Sequence, residues 1–279
     1  MKYFVIRYIA PFARRWGWKT FCEIGASFGV STDELLKLPR VAYTIIDPCF
    51  DEDLEAKYHG DRRVTVFRMN SLDALASPDL LRTAAPFDCI LIDGDHNWYT
   101  VFNELRLIRE HGLLRPGGVI FLHDVGHPWA RRDLYYQPDT IPAEFRHPYA
   151  SQALMDSQLQ LGEAQEKKAK TEEALEEGGP RNGVLTAIED FLRQQPGAYR
   201  FFRIEYQYGL GVIQHRTPGV RSMLIFFSLC VNGWVYANSR QLETGRTHLG
   251  TPSPAGHVIN NLLSEQVYIR VDESLFGQS

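Results

Sequence analysis

The sequence predicts an α/β protein built on a doubly wound, mostly parallel sheet of seven strands. Three observations lead to this fold class. Short apolar, β-rich runs alternate with helical patterns between residues 20 and 124. One of these runs, residues 89–92, is continuously apolar, as in a strand buried on both faces. Two further β-rich runs near residue 200 flank a tight turn at Tyr208-Gly209, which predicts an antiparallel hairpin at the edge of the sheet.

The first five strands and four helices follow from residue patterns along the chain. The strands are predicted at residues 20–24, 41–46, 64–68, 89–92 and 119–122, and the helices at residues 31–38, 51–58, 72–83 and 96–111. Ser31 and Glu34 have the spacing of a capping box, and Pro39 ends that helix. Gly112 is a suitable C-cap for the fourth helix. The regular alternation places the strand ends at one edge of a parallel sheet.

Two segments flank this alternation. Residues 1–19 predict an amphipathic segment that covers the core, because Arg7 and Pro11 interrupt the apolar run and no cleavage pattern of small residues follows, as a targeting signal would require. Residues 126–180 predict a helical lid insertion. Within it, residues 150–177 are a helix candidate with a charge-dense end, which is either a solvated face or a partner-binding helix.

The rest of the chain completes the sheet. A helix is predicted at residues 184–194 with Asn182 as its cap, and the edge hairpin at residues 201–206 and 210–214. The core domain therefore covers residues 20–216. Residues 217–279 show no period and form a C-terminal extension of unknown structure.

The composition limits which partners and which cellular compartment are expected for the protein. The formal net charge of -4 argues weakly against nucleic acid. The 4 cysteines have no metal-type spacing, and Cys22 and Cys89 fall in predicted buried strands, so a reducing, cytoplasmic location is expected. The apolar run at residues 223–237 is too short for a membrane span and is broken by Asn232 and Gly233.

A glycine turn and an acidic residue predict an adenosine-containing ligand. Glu23-x-Gly25-x-x-x-Gly29 lies between the first strand and the first helix, where glycines let a ligand approach the backbone. Asp47 ends the next strand, where a carboxylate can accept both ribose hydroxyls. Asn70 and Ser71 end the third strand and are placed to meet the adenine, although Ser71 is equally a helix cap.

These motifs, with Asp93-Gly94-Asp95-His96 after the fourth strand and Pro116-Gly117-Gly118 leading to His123-Asp124 through the fifth, resemble class I S-adenosylmethionine-dependent methyltransferases. The resemblance is nearest to the macrocin-type sugar O-methyltransferases and cephalosporin-hydroxylase-like proteins, which share a Rossmann-like methyltransferase fold. It covers residues 20–125 and resumes at Asn182 and at the edge hairpin.

The resemblance implies a set of site residues. The residues that would contact S-adenosylmethionine are Glu23, Gly25, Ser27, Gly29, Asp47, Asn70, Ser71 and Asp93. A divalent metal, magnesium in such enzymes, would bind Asp93, Asp124 and His123, although a histidine beside Asp124 is an unusual ligand for magnesium. The catalytic group would comprise Asp93, Asp95 and His96, with His96 as the general base.

Structural roles remain open for several of these side chains. Asp95 is equally a cap of the helix that starts near His96, and His123 is equally a core histidine bonded to a main-chain carbonyl. In the lid, Arg131, Arg132, Tyr135 and Tyr136 are candidates for gripping an acidic or glycosidic substrate or are plain surface residues.

The sequence therefore predicts an enzyme, an O-methyltransferase that acts on a hydroxyl of a sugar-containing or other small metabolite with the help of a metal and a histidine base. A metal-independent methyltransferase that uses His96 alone is the alternative within enzymes. A non-catalytic nucleotide-binding or interaction protein is the alternative outside them, with residues 163–177 as its interface. A glycoside is a candidate substrate and a homo-oligomer a candidate assembly; no nucleic-acid partner or membrane span is expected.

Overall fold

The computed structural model describes residues 1–49, 52–83, 86–150, 171–204 and 207–216. Its centre is a seven-stranded sheet in the order β3-β2-β1-β4-β5-β10-β9. The strands are β1 Thr20–Ile24, β2 Ala42–Ile46, β3 Val64–Phe67, β4 Phe87–Ile92, β5 Leu114–His123, β6 Leu134–Tyr135, β7 Tyr149–Ala150, β8 Glu172–Ala174, β9 Tyr199–Ile204 and β10 Leu210–His215. The predicted doubly wound sheet with an antiparallel edge hairpin is confirmed.

Helices precede, connect and follow these strands. The α-helices are α1 Lys2–Phe4, α2 Ala10–Trp16, α3 Val30–Leu35, α4 Leu54–Lys57, α5 Ser71–Ala76, α6 Pro78–Thr83, α7 Trp98–Glu110 and α8 Val184–Arg193. A π-helical stretch, Val5–Ile9, joins α1 to α2, and single 3-10 turns occur at Pro138–Thr140 and Ala143–Phe145. None of the helices described here is long and apolar enough to cross a membrane.

The first five strands, β1 to β5, are parallel, and their order reverses between β1 and β4. β1 pairs with β2 on one side and with β4 on the other, and β10 pairs antiparallel with β5 and β9. All six residues of β4 are buried, as expected for a strand covered on both faces. Ligands bind outside the carboxyl ends of strands at such a reversal point, so the polar ends of β1, β2, β4 and β5 meet in one crevice.

Two apolar layers cover the sheet. Helices α5, α7 and α8 pack on one face through a cluster that includes Leu105, Ile108 and Ile188. The N-terminal segment packs on the other face and buries Phe4, Val5, Ile9, Phe12 and Ala13. This is the covering role expected of residues 1–19. The cysteines that the structure describes, Cys22, Cys49 and Cys89, are buried and unpaired.

Three helices have N-cap residues other than those that the sequence suggested. Helix α3 begins at Val30 behind an N-cap Gly29 in the left-handed region (φ 71°), so Ser31 is not its cap. Helix α7 is capped by Asn97, whose side chain accepts from the Thr100 amide. Helix α8 has Gly183 at its N-cap position, and the Asn182 side chain turns to the lid. Local spacing could not reveal these starts, because tertiary contacts compete for the capping side chains.

The lid contains a second small sheet where the sequence suggested a helix. β8 lies between β6 and β7 and pairs antiparallel with both. The prediction of helix over residues 171–177 is therefore wrong, because the backbone of β8 pairs with two strands from residues 134–150. The remainder of that predicted helix, residues 151–170, and the C-terminal extension, residues 217–279, lie outside the described residues.

Candidate active site

A cavity of about 600 Å³ opens at the carboxyl ends of β1, β2 and β4, beneath the lid. Its wall is formed by Ile24, Gly25, Ser27, Ile46, Asp47, Pro48, Asn70, Ser71, Leu72, Asp73, Asp93, Gly94, Asp95, Tyr99, Thr100, Tyr136, Gln137 and Thr140. Six of the eight predicted cofactor contacts lie on this wall: Gly25, Ser27, Asp47, Asn70, Ser71 and Asp93.

Gly25 is required where the loops after β1 and β4 cross. Its φ is +81°, and a Cβ atom there would lie 2.3 Å from the Gly94 Cα atom and 2.5 Å from the Asp93 carbonyl oxygen. No larger residue fits this crossing without moving the backbone that carries Asp93. The glycine therefore brings the first turn and the Asp93 loop into contact at the floor of the cavity.

Asp47 presents a fixed carboxylate at the end of β2. It is 6% exposed, its Oδ2 atom accepts from the Ser27 amide at 2.9 Å, and its Oδ1 atom accepts from the Cys49 amide at 2.6 Å. Each carboxylate oxygen has a second lone pair. The carboxylate is thus held by two backbone amides and retains acceptor capacity toward the cavity.

Glu23 and Gly29 are not part of the cavity wall. Glu23 is buried behind it, accepting from the Thr32 hydroxyl at 2.5 Å and the Tyr43 hydroxyl at 2.8 Å, and burial raises its pKa to about 7. At Gly29, a Cβ atom would lie 2.2 Å from the Tyr58 hydroxyl. Packing of Tyr58 therefore explains this glycine, and Glu23 supports the β1–α3 connection from inside.

Asn70 and Ser71 both face the cavity from the start of α5. The helix begins at Ser71, and Asn70 occupies the N-cap position without a side-chain cap bond. Ser71 is therefore not the cap of this helix. Both residues line the cavity, at the position where the sequence predicted a contact with adenine.

A cluster of acidic and imidazole groups adjoins the cavity through Asp93, whereas His96 and Asp124 are buried beside it and are not part of its wall. Ligand atoms of Asp93, His96 and Asp124 all lie within 4.8 Å of one another, a spacing that could hold a metal ion. The His96 Nδ1 atom is 3.3 Å from Asp124 Oδ2. Asp124 is 3% exposed, has a left-handed backbone (φ 61°), and its Oδ1 atom has no hydrogen-bond partner among the described residues. A buried carboxylate oxygen of this kind is costly unless a cation or donor satisfies it.

His123 lies between the two carboxylates of this cluster. Its Nδ1 atom is 2.9 Å from Asp124 Oδ2 and 3.1 Å from Asp93 Oδ1. Burial alone would lower the pKa of His123, but the hydrogen bonds and charges of Asp124 and Asp93 raise it to about 9. Burial would raise the pKa of Asp93, yet the His123 hydrogen bond and charge lower it overall. The Nδ1 atom therefore bonds carboxylates rather than a main-chain carbonyl, and these carboxylates favour the protonated form of His123.

Asp95 faces the start of α7. Its Oδ2 atom accepts from the Thr100 hydroxyl at 2.8 Å and from the side-chain amide of Asn97 at 2.5 Å. Burial raises the pKa of Asp95. Asn97, not Asp95, accepts from the backbone at the helix start. Asp95 therefore supports the capping residue and also lines the cavity.

Aromatic residues beside the cluster include several that the sequence did not single out. The His96 ring stacks on Trp129 (centroids 5.9 Å apart, planes at 22°) and lies 5.8 Å from the Tyr136 ring. Trp129 in turn contacts Tyr208 at 5.3 Å. Trp129, Gln137 and Thr140 lie in a segment without periodicity, so only their proximity in the fold reveals them.

The other lid residues suggested as substrate contacts have structural partners. Arg131 pairs with Glu189 through two bonds of 2.7 Å, and Arg132 donates to the Ala174 carbonyl oxygen. Tyr135 is fully buried. Of that set, Tyr136 alone lies on the cavity wall.

Comparison with known proteins agrees with this architecture. Residues 22–125 match the family model described as a methyltransferase domain. This match spans β1 to β5, the strands whose ends form the cavity, and it confirms the prediction of an S-adenosylmethionine-dependent methyltransferase. No curated protein matches the chain.

Solved structures with a similar arrangement include two methyltransferases bound to S-adenosylhomocysteine. One, from Podospora anserina, is 16% identical, with a TM-score of 0.45, 75% of this chain covered and 76% of that chain. The other, an O-methyltransferase from Bacillus cereus, is 15% identical, with a TM-score of 0.45, 77% of this chain covered and 80% of that chain. The strand order of the chain itself, rather than these distant likenesses, establishes the fold.

Proposed function

We propose that this protein transfers a methyl group from S-adenosylmethionine to a hydroxyl of a small, sugar-containing metabolite, with His96 as general base and a divalent cation beside it. The observation that carries the proposal is the Asp93–His96–Asp124 cluster, which adjoins the cavity through Asp93, in a chain whose residues 22–125 match a methyltransferase domain. A hydroxyl placed there would meet both a base and a cation site. The more specific likeness to macrocin-type sugar O-methyltransferases belongs to this proposal.

The cavity suits S-adenosylmethionine by shape and charge. Asp47 offers acceptor capacity for ribose hydroxyls, and Gly25 lets the loop after β1 pass close to Gly94 beside the cavity, where a Cβ atom would clash with the backbone. The wall carries the carboxylates of Asp47, Asp73, Asp93 and Asp95, which complement a positively charged sulfonium. When bound, the cofactor supplies the methyl group and its own leaving group.

His96 is oriented to accept a proton. If its Nδ1–H donates to Asp124 Oδ2, 3.3 Å away, the Nε2 atom carries the free lone pair. The ring is held flat against Trp129, which limits its rotation. A carboxylate on one nitrogen and a free acceptor on the other is the usual arrangement of a general base.

Asp93 and Asp124 would hold the cation. The unsatisfied, buried Oδ1 atom of Asp124 fits such a role, because a cation would satisfy it. Two carboxylates suit magnesium and manganese alike. When bound, the cation lowers the pKa of the hydroxyl that it contacts and fixes that hydroxyl near the methyl group.

Aromatic side chains support an acceptor with a ring. Trp129, Tyr136 and Tyr208 lie around His96 and His123, and Tyr136 and Tyr208 are 42% and 39% exposed. Such side chains combine a flat apolar face with a polar group. They suit a sugar ring, whose apolar face can lie on an aromatic ring while its hydroxyls point to the cluster.

A metal-independent methyltransferase is the second candidate, and His123 favours it. Protonated His123 already lies between Asp93 and Asp124, with its pKa raised to about 9 by their hydrogen bonds and charges. A divalent cation would have to displace that positive charge. In this version His123 keeps the two carboxylates in place and His96 alone removes the proton.

Transfer of radiolabelled methyl to a panel of glycosides and phenols tests the proposal. We expect labelled glycosides, loss of transfer after chelation, and recovery with Mg²⁺ or Mn²⁺. Transfer that survives chelation would select the metal-independent version. Labelling of phenols alone would contradict the sugar acceptor. If calorimetric titration with S-adenosylhomocysteine shows no binding at high micromolar concentration, that result would contradict the cofactor assignment.

A further inference from the structure

His96, the proposed base, is held in place mainly by the lid. The His96 carbonyl oxygen accepts from the Leu134 amide at 3.2 Å in an isolated bridge, and its ring lies against Trp129 and Tyr136. These three partners all belong to residues 126–150. Asp124, 3.3 Å from Nδ1, follows β5 and supplies a contact from the central sheet. The orientation of the base therefore depends on how the lid is attached.

Asp133 attaches this part of the lid to two helices at once. It is fully buried, and its Oδ1 atom accepts from the backbone amides of Trp98 and Gly183, each at 2.7 Å. Trp98 is the first residue of α7 and Gly183 is the N-cap residue of α8. One carboxylate oxygen thus joins the starts of both helices.

The remaining bonds of Asp133 extend the connection into the lid. Its Oδ2 atom accepts from the Tyr135 hydroxyl at 2.9 Å, and its backbone amide donates to Asn182 Oδ1 at 2.7 Å. The Ala174 amide donates to its carbonyl oxygen at 2.9 Å. Asp133 therefore has bonds to α7, to the residues before α8, and to the small lid sheet.

The surrounding backbone is shaped for this carboxylate. Gly183 has φ +87°, and a Cβ atom there would lie 2.5 Å from the Ala130 carbonyl oxygen and the Arg132 amide nitrogen, so glycine lets its amide reach Asp133. An anion is favoured where helix amides point outward at an N-terminus. Burial nevertheless raises the pKa of Asp133 to about 6, against the lowering effect of its hydrogen bonds.

We propose that Asp133 is a positioning residue that fixes the lid to the starts of α7 and α8 and thereby holds His96 against Asp124. This inference rests on the proposed role of His96 as the base. Asp133 lies one residue before Leu134 and accepts from Trp98, two residues after His96. The carboxylate thus connects the two chain segments that are joined by the His96–Leu134 bridge. Its loss would therefore loosen that bridge directly.

Nuclear magnetic resonance of the His96 ring tests this inference without an acceptor. The Cε1–H signal, assigned by comparison with His96→Gln, should be displaced by the ring current of Trp129. In Asp133→Asn, which preserves size and removes the charge, we expect this signal to move toward the value of a free histidine. The matched control is Arg131→Gln, which breaks a lid contact with α8 at Glu189 but none with α7; it should leave the signal in place.

The outcomes separate positioning from general stability. A folded Asp133→Asn protein with a lower melting temperature but an unmoved His96 signal would overturn the inference. If that variant does not fold, Tyr135→Phe removes one bond to Asp133 and should move the signal in the same direction by a smaller amount; an unmoved signal there overturns it too. Calorimetry of the unsubstituted protein with S-adenosylhomocysteine and Mn²⁺ tests the proposed function separately, because the His96 signal needs neither ligand.

Discussion

The cavity has two kinds of wall, and they are held by different forces. On the sheet side, Asp47 and Asp93 each follow directly after a strand of the central sheet, so the backbone ladder fixes them. On the lid side, the segment that carries Tyr136 depends on side-chain bonds such as those of Asp133. The sheet side is therefore rigid, and acids buried there are costly to ionise. The lid side instead depends on a few polar contacts.

Burial beside the sheet also affects the ionisation of two acids that lie outside the cavity wall. Burial raises the pKa of Glu23 to about 7 and that of Glu104, on α7, to about 8. Neither Glu104 oxygen has a hydrogen-bond partner among the described residues, although the nearby Ser71 hydroxyl partly offsets the rise in pKa. These carboxyl groups favour the protonated form in the folded state.

The largest expected effect concerns Glu104. Since its pKa is raised from 4.5 to about 8, the folded state holds the proton more tightly than the unfolded state, and stability falls as pH rises from about 4.5 to about 8. At 1.36 kcal/mol per unit the loss is on the order of 5 kcal/mol at most. Glu104→Gln removes this loss, so its advantage over the unsubstituted protein should grow across that interval and then level off in denaturant unfolding.

The control for this prediction is on the same helix. Glu110 is exposed and pairs with Arg106, so Glu110→Gln should show no such dependence on pH. Other buried acids, including Glu23, act equally in both proteins and cancel in the difference. A Glu104→Gln advantage that stays constant between pH 4.5 and pH 8 would contradict the assignment of a protonated Glu104.

The next largest effect should follow removal of the charge at Asp124. Asparagine tolerates the left-handed backbone found there, so Asp124→Asn tests chemistry rather than folding. Loss of a partner outside the ligand set already costs about 10–100-fold in metal affinity, so we expect Mn²⁺ affinity, measured by electron paramagnetic resonance, to fall on the order of 100-fold. Asp95→Asn should bind Mn²⁺ normally, because Asp95 is engaged by Asn97 and Thr100. Equal affinities in the two variants would remove Asp124 from the cation site.

Asp47→Asn should weaken S-adenosylhomocysteine by roughly 10–100-fold, because hydrogen bonds to a charged group contribute about 1.5–3 kcal/mol. The substitution keeps one oxygen for the backbone amides that hold the side chain. Asp79→Asn, an exposed change on α6, is the control and should leave binding unchanged in calorimetry. Undiminished binding by Asp47→Asn would argue that the ribose lies elsewhere.

The same contrast explains how far the sequence alone could reach. The sheet side was predictable because hydrophobic periodicity reports burial, and burial fixes strands whose ends must meet: Gly25, Asp47 and Asp93 all lie where parallel strands would bring them. Glu23 shows the limit. The motif placed it beside the cofactor, but its partners Thr32 and Tyr43 hold it inside, and no local pattern distinguishes the two positions.

The lid could not be predicted because its order comes from long-range polar bonds. β8 reads as part of a charged helix, yet it pairs with strands more than 20 residues earlier. His123 illustrates the same point at the site: the family resemblance implied a metal ligand, and the fold places its Nδ1 atom between two carboxylates. The pKa of His123 is set by charges that only folding brings together, so it could not be predicted from the sequence.

The smallest expected effect tests whether the lid side contributes to cofactor binding at all. Tyr136 lines the cavity and approaches His96, so Tyr136→Ala should weaken S-adenosylhomocysteine by about 2–10-fold, the scale of one aromatic contact of about 0.5–1.5 kcal/mol. Tyr136→Phe keeps the ring and should retain most of the affinity. Tyr208→Ala is the matched control, since Tyr208 packs on Trp129 and is not part of the cavity wall. If both alanine variants bind equally well in calorimetry, the sheet side alone holds the cofactor, and the lid serves the acceptor and the base.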